Sequence, residues 1–230
     1  SVAIFRKRNV AEAAVEAQCA CIGNVGFLGI PMLAMLMGPE AVLWVMLVLA
    51  IDQLVFGSLI VILIVGSRDG RISFGMLKTV GFGLIKNPMI MAMLAGLLCS
   101  SSGVALPTPA AEFFDILGAA ATPGALFAIG ASLASKSAER ITVAGWLAFC
   151  KLILHPGAVA ISALLIFSVA PYPAAVLIAA TALPVAGNIF ILATHYKVAP
   201  ARVSASILLS TVASVVTVSL VIAWVNVLYN

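Results

Sequence analysis

The stretch IGNVGFLGIP, residues 22–31, decides the fold of this 230-residue chain. It lies inside an apolar run long enough to cross a bilayer, yet it contains an asparagine, three glycines and a proline. Proline removes a backbone donor and clashes with the preceding helical turn, while glycine weakens a helix. The stretch therefore predicts a membrane helix that unwinds near its centre.

The composition of the chain indicates an integral membrane protein. Hydrophobic residues make up 63% of the sequence and charged residues only 9%, with a mean hydropathy of +1.23, whereas about a quarter of a soluble domain is charged. Apolar stretches recur at the length of about 20 residues that a crossing helix needs. We predict an all-α polytopic membrane protein with seven transmembrane segments, numbered 1 to 7 in chain order: about 11–38, 39–66, 88–105, 110–134, 141–168, 172–196 and 200–227.

The basic residues predict the orientation of these segments. After seven crossings, the side that holds residues 1–10, 67–87, 135–140 and 197–202 carries every lysine and arginine except Lys151. Basic residues concentrate in cytoplasmic loops. This side is therefore expected to be cytoplasmic and the C-terminus to lie outside.

Segment 6 contains a second break, LPVAGNIF, with Pro184, Gly187 and Asn188. Because the two breaks are offset by five segments, an odd number, segments 1 and 6 run in opposite directions, as in an inverted-topology repeat. If segment 6 is the fourth helix of a repeat formed by segments 3 to 7, segment 1 is the fourth helix of an earlier one. We therefore expect ten helices in the intact protein, three of them before residue 1.

This interpretation divides the chain into three parts. Residues 1–66 are expected to hold the last two helices of the first inverted repeat, and residues 88–230 a complete second five-helix repeat. The basic stretch 67–87 between them is predicted to be an amphipathic linker on the cytoplasmic face.

Ionisable residues inside predicted segments are candidates for function. An aspartate at the membrane centre costs about 2.5–3.5 kcal/mol on insertion scales, so Asp52 in segment 2 is expected to face a cavity or to pair with a neighbour. Lys151 and His155 in segment 5 are four residues apart and share a helix face. Lys151 is expected near Asp52 or near half-helix carbonyls, where it neutralises the site. For Asp52 and His155 a purely structural role stays open.

The motifs resemble the auxin efflux carrier family, which includes plant PIN-type auxin exporters and bacterial carriers of small organic anions. The resemblance covers nearly the whole chain and rests on six stretches in the family's order: GNVGFLGIPMLAML, LAIDQLVFGSL, KNPMI, PGALFAIGASLA, KLILHP and ALPVAGNIFILATHY. It implies two inverted five-helix repeats, similar to bile acid symporters, whose fourth and ninth helices unwind and cross. It also implies elevator-type movement in a bacterial inner (plasma) membrane.

The expected function is secondary active transport, in efflux or uptake, of small organic anions such as dicarboxylates. Half-helix N-termini near residues 30 and 185 would offer amide donors and positive dipole ends to a carboxylate. Asp52 and Asn188 depart from the auxin pattern, which argues against auxin as the substrate. Coupling or charge compensation is assigned to Asp52, Lys151 and His155. The expected substrate-binding residues are Asn24, Gly29, Pro31, Asp52, Pro184 and Asn188.

Two alternatives stay open: a sodium- or proton-coupled carrier of cations or bile acids on the same fold, and a non-transporting membrane sensor. An enzyme is not expected, because the sequence lacks HExxH, GxSxG and paired carboxylates on one helix. No metal or cofactor is expected beyond H+ or Na+ as coupling ion. The expected partners are the organic anion and the lipid bilayer, without nucleic acid, and a homodimer stays open. The serine and threonine stripe of segment 7, which includes Ser206 and Ser210, is interpreted as packing.

Overall fold

The computed structural model describes residues 9–69, 78, 81–82, 85–86, 88–103, 105–134 and 141–229. These residues are helical apart from short connections, and the only β-type pairing among them is an isolated antiparallel bridge between Gly23 and Val185. The predicted all-α class is confirmed.

Segment 1 consists of two helical pieces with a break between them. Helix α1 spans Val10–Cys21 and begins where the Asn9 side chain accepts a 2.8 Å hydrogen bond from the Glu12 amide. Helix resumes as a π-helical turn, Val25–Gly29, which leads directly into α2, Ile30–Met37. The break is therefore at residues 22–24, before the position expected from Gly29 and Pro31. Pro31 is the second residue of α2, directly after the π-helical turn.

Segment 2 is one continuous helical rod. It consists of α3, Ala41–Ile51, a π-helical turn, Asp52–Phe56, and α4, Gly57–Asp69. The predicted linker 67–87 thus begins inside α4, and most of that linker lies outside the described residues. Two further helices follow, α5 at Pro88–Ser102 and α6 at Thr108–Ala134.

The remaining helices form the second half of the chain. In segment 5 a π-helical turn, Cys150–Leu154, separates two α-helices. A second π-helical turn, Ser162–Ile166, follows the second of these helices. Segment 6 is interrupted between residues 182 and 187, and segment 7 is a single long helix. The α-helical parts are α7 Ile141–Phe149, α8 His155–Ile161, α9 Pro171–Thr181, α10 Asn188–His195 and α11 Pro200–Tyr229.

Three described helices are long and apolar enough to cross a bilayer: Ala41–Ser67, Ile141–Ile166 and Pro200–Leu228. The pieces Val25–Met37 and Pro171–Thr181 are also apolar but shorter. Each of these two pieces is one half of a broken segment, so it contains only part of the apolar length of that segment.

The broken segments run side by side in opposite directions. At one end the Tyr172 hydroxyl, at the start of α9, donates a 3.0 Å hydrogen bond to the Met37 carbonyl, at the end of α2. At the other end Ile189 and Ala193 of α10 belong to the same buried cluster as Val15 of α1. Each half of one segment therefore packs beside a half of the other.

Two hydrophobic cores meet at the breaks. Val25 and Leu183 are buried in the first core, which joins α2, α3, α9 and part of α11. Ile22 and Val185 are buried in the second, which joins α1, α4, α7, α10 and the start of α11. The unwound residues are thus fixed by apolar packing on both sides, which a functional site needs to stay preorganised.

Candidate functional site

The two breaks pair with each other through their backbones. The Asn24 amide donates a 2.8 Å hydrogen bond to the Pro184 carbonyl, and the Ala186 amide donates one of 3.2 Å to the Ile22 carbonyl. Backbone groups freed at membrane depth must find partners, because the hydrocarbon offers none. The breaks supply these partners to one another, and we call residues 22–24 and 182–187 together the crossover.

A serine of α11 completes the crossover. The Val185 amide donates a 3.1 Å hydrogen bond to Ser210 Oγ, and the Ser210 side chain is fully buried. The sequence placed Ser210 in a packing stripe. Its spacing did carry a signal, since Ser206, Ser210 and Ser214 follow one helix face, but the spacing could not show which hydroxyl meets an unwound amide.

A cavity of about 590 Å³ opens beside the crossover. Its polar wall contains Asn24, Asp52, Gln53 and Asn188. His195 and Tyr196 also line the cavity, and the other lining side chains, such as Phe27, are apolar. A cavity with a few convergent polar groups on an apolar lining is the usual form of a small-molecule site.

The two asparagines expected at the site both line this cavity. Asn24 is only 8% exposed, and its side chain does not cap the turn that follows it, so its amide remains available to a ligand. Asn188 Oδ1 is buried and has no hydrogen-bond partner within the described residues. A buried polar atom of this kind costs free energy unless a ligand or water satisfies it.

Both helical pieces that follow the breaks begin at this cavity. Helix resumes at Val25 in segment 1 and at Asn188 in segment 6, and Gly26, Phe27 and Gly187 line the cavity. First-turn amides carry the positive end of the helix dipole. In segment 6 the Ile189 and Phe190 amides already donate to the Ala186 and Gly187 carbonyls, so α10 offers the cavity the positive end of its dipole. The N-termini expected near residues 30 and 185 are therefore at 25 and 188.

Asp52 lies in the cavity wall at the first residue of a π-helical turn. It is 9% exposed, and its carboxylate interacts with the Gly23 backbone amide and with the charge of Lys151. Single π-helical turns are frequent at functional sites. Nothing in the sequence signals this turn, which directs the aspartate to the first break.

Lys151 lies behind Gly23 and is fully buried. Its ammonium donates to the Thr181 carbonyl and lies 3.3 Å from His155 Nδ1. Thr181 is the last residue of α9, where the negative end of the helix dipole favours a cation. The predicted position of Lys151 near half-helix carbonyls and Asp52 agrees with this geometry.

Glycine at position 23 leaves room for this ammonium. A Cβ added to Gly23 would lie 3.3 Å from Lys151 Nζ and 3.5 Å from the Ala180 carbonyl oxygen. The sequence indicated Gly23 only as one of the glycines of the break. Its closer role is to bring the backbone between the cavity and the buried lysine.

The other predicted residues have different positions. Pro184 is buried in the crossover and lines a second cavity, of about 640 Å³, together with Asn24 and Ser214. His155 supports Lys151 from behind and is not among the residues that line the first cavity. Gly29 and Pro31 line neither cavity; a Cβ at Gly29 would instead meet the buried Leu183 side chain.

Comparison with known proteins adds two findings. The family described as "Membrane transport protein" matches residues 1–222. A protein of Rhizobium meliloti (strain 1021) named "Putative malonate transporter" is 27% identical over 226 residues, which is 95% of this chain and 69% of the relative. Because the family match extends over nearly the entire chain, this protein belongs to the membrane transport protein family, the auxin efflux carrier family that its motifs resemble.

Proposed function

We propose that the protein is a secondary active transporter of small organic anions, such as dicarboxylates, and that the anion binds at the crossover. The observation that carries this proposal is the position of both helix N-termini, Val25 and Asn188, at a single cavity. Amide donors and positive dipole ends at that cavity suit a carboxylate. The relative named as a malonate transporter supports a dicarboxylate as the substrate.

The side chains at the cavity suit a ligand that must be released again. Asn24 and Asn188 can each donate hydrogen bonds without adding a fixed charge. Lys151 compensates the charge of Asp52 from behind Gly23 and is fully buried. The anion is thus held by dipoles and amides instead of a permanent ion pair, which favours turnover over tight binding.

We also propose how the chain crosses the membrane and how it moves during transport. Seven segments cross the bacterial inner membrane with the C-terminus outside, because the basic residues concentrate on one side. Segments 1 and 6 are equivalent members of two inverted repeats, since their breaks pair in opposite directions. Substrate reaches each side by an elevator-type movement of the helices that carry the crossover.

A ligand screen on the purified protein in detergent tests the proposal. Malonate, succinate, malate and acetate are added at two pH values, and the midpoint of thermal unfolding is measured. A ligand at 100 times its Kd stabilises the folded state by about 2.7 kcal/mol, so a carboxylate substrate should raise the midpoint. Asn24→Ala should remove this shift, and Gly145→Ala, at an open position on α7, should keep it. No shift with any carboxylate would overturn the proposal.

The presence of Asp52 in the cavity wall favours a second candidate, a carrier in which this acid binds a coupling cation. Proteoliposomes separate the two roles. If Asp52→Asn abolishes cation-driven flux and leaves anion counterflow intact, Asp52 serves coupling by H+ or Na+. If Asp52→Asn abolishes both, the residue contributes to the anion site itself.

A further inference from the structure

The charges around the first cavity do not match a dianion. Among the described residues that line it there is no lysine or arginine, and Asp52 is the only acid. Lys151 is fully buried behind Gly23 and already donates to the Thr181 carbonyl. A dicarboxylate with two negative charges would therefore meet the Asp52 carboxyl group and, among these lining residues, no ammonium or guanidinium group.

Other titratable groups near Asp52 do not change this balance. Cys21, at the end of α1, and Lys151 interact electrostatically with Asp52 from two neighbouring elements. His155 Nδ1 lies 3.3 Å from Lys151 Nζ, and His155 is not among the residues that line the cavity. His195 and Tyr196 lie at the cavity in edge-to-face contact, with ring centroids 4.8 Å apart. Lys151 offsets the charge of Asp52, and no lysine or arginine among the described lining residues offsets a second ligand carboxylate.

The polar groups at the cavity include both donors and acceptors. Donors come from the first-turn amides after Val25 and from the Asn24 side chain. Acceptors are the Asp52 carboxylate and Asn188 Oδ1, a buried atom to which no group in the described part of the chain donates. A carboxylate needs donors, whereas a protonated carboxyl group needs an acceptor for its O–H. Short charge-assisted O–H···O⁻ hydrogen bonds are among the strongest in proteins.

We propose that the cavity binds a short dicarboxylic acid in its singly protonated form, with the carboxylate on the amides of residues 25–27 and the carboxyl proton donated to Asp52. This inference rests on the proposed function and specifies the ionic form of its substrate. Each molecule then carries its own proton across the membrane. The transport of the diacid is linked to pH without a protein group that must gain or lose a proton in each cycle.

Two matched ligands test this inference by calorimetric titration of the purified protein over a pH range that spans the second ionisation of malonate. Malonate loses its carboxyl proton in this range. Malonamate has the same size and keeps a carboxylate at one end and a neutral N–H donor at the other. Only the singly protonated fraction of malonate is competent to bind, so its apparent Kd should rise about tenfold for each pH unit above that ionisation. The Kd of malonamate should stay constant over the same range.

Asp52→Asn provides the matched variant, because it keeps the shape of the side chain and replaces a charged acceptor by an amide that can also donate. Binding of malonate to Asp52→Asn should lose the pH slope, and His195→Gln should retain it. The inference is overturned if malonate binds best as the dianion, if malonamate shows the same slope, or if Asp52→Asn keeps it. Binding of the dianion would leave the proposed function intact, whereas failure of both ligands at every pH would overturn the function as well.

Discussion

The backbone amide of Asn24 donates a 2.8 Å hydrogen bond to the carbonyl of Pro184. The two residues lie at breaks in different membrane segments, so each unwound stretch satisfies a backbone group of the other. A proline is well suited to the acceptor position, because it interrupts its own helix and still offers its carbonyl. A substitution that displaces one break should therefore disturb the other and the cavity between them.

Gly29→Ala should destabilise the protein although alanine is the better helix former. A Cβ at position 29 would lie 2.7 Å from Leu183 Cδ1, and Leu183 is fully buried beside the second break. Overpacking a well-packed core costs about 1–3 kcal/mol. The unfolding free energy in detergent should fall by this amount, and Gly145→Ala, where a Cβ would meet nothing within 4 Å, should be neutral or stabilising.

A double-mutant cycle tests the cause of the Gly29→Ala effect. Leu183→Ala alone should destabilise by leaving a cavity, and the double variant should lose less than the sum of the two single losses. Strict additivity would show that the 29–183 contact is not responsible.

Ser210→Ala should weaken both folding and ligand binding. The substitution leaves the Val185 amide without its 3.1 Å acceptor in a fully buried position, and an unsatisfied buried donor costs about 1–3 kcal/mol. Ser206→Ala is the matched control, because the equally buried Ser206 hydroxyl bonds only within its own helix, to the Arg202 carbonyl. Equal effects of the two variants on malonate affinity would argue against a specific role of Ser210 at the crossover.

The sequence predicted which segments are broken more accurately than it predicted the residues at which their helices end and resume. Proline and glycine marked both unwound regions, but Gly29 and Pro31 lie within helix that has already resumed at Val25. The resumption of helix at Val25 depends on the Asn24 and Pro184 pairing, which is a tertiary contact that local pattern does not contain.

The sequence predicted those residues of the candidate site whose charged side chains are rare inside a membrane. Asp52 and Lys151 stood out because charges there are costly, and the structure brings both to Gly23. Ser210 did not stand out, since one hydroxyl in a stripe resembles the next until its partner is known. Likewise the π-helical turns that direct Asp52 and Lys151 leave no trace in composition or periodicity.

Lys151→Met should be strongly destabilising, and a second substitution should restore part of the loss. Methionine keeps the apolar length of the side chain but removes the donor to the Thr181 carbonyl and the positive charge near Asp52. Removal of one partner from a buried charge arrangement costs about 3–5 kcal/mol. Asp52→Asn combined with Lys151→Met should be more stable than Lys151→Met alone, as measured by thermal unfolding in detergent. A double variant that is less stable than Lys151→Met would contradict the electrostatic link.

Arg202 should hold the start of α11 against α1 through its guanidinium group. Its Nη1 donates to Glu16, which is 2% exposed, and its Nη2 donates to Glu12 at 3.3 Å, so the start of α11 is joined to α1. Lysine keeps the charge but cannot serve two carboxylates in this geometry. Arg202→Lys should therefore lose one charged hydrogen bond, worth about 1.5–3 kcal/mol.

Arg202→Met should lose about 3–5 kcal/mol, because it leaves Glu16 buried without its cation. Glu16→Gln in that background should recover part of the loss, since the remaining side chain is then neutral. Lys197→Met serves as the control, because Lys197 is an exposed cation near the same end of α11 and its exposed charge contributes about 0–1 kcal/mol. Denaturant titration of the four variants in detergent should rank Lys197→Met above Arg202→Lys, with Arg202→Met least stable. An Arg202→Met protein as stable as Arg202→Lys would show that Glu16 finds another partner and that the guanidinium group does not join the two helices.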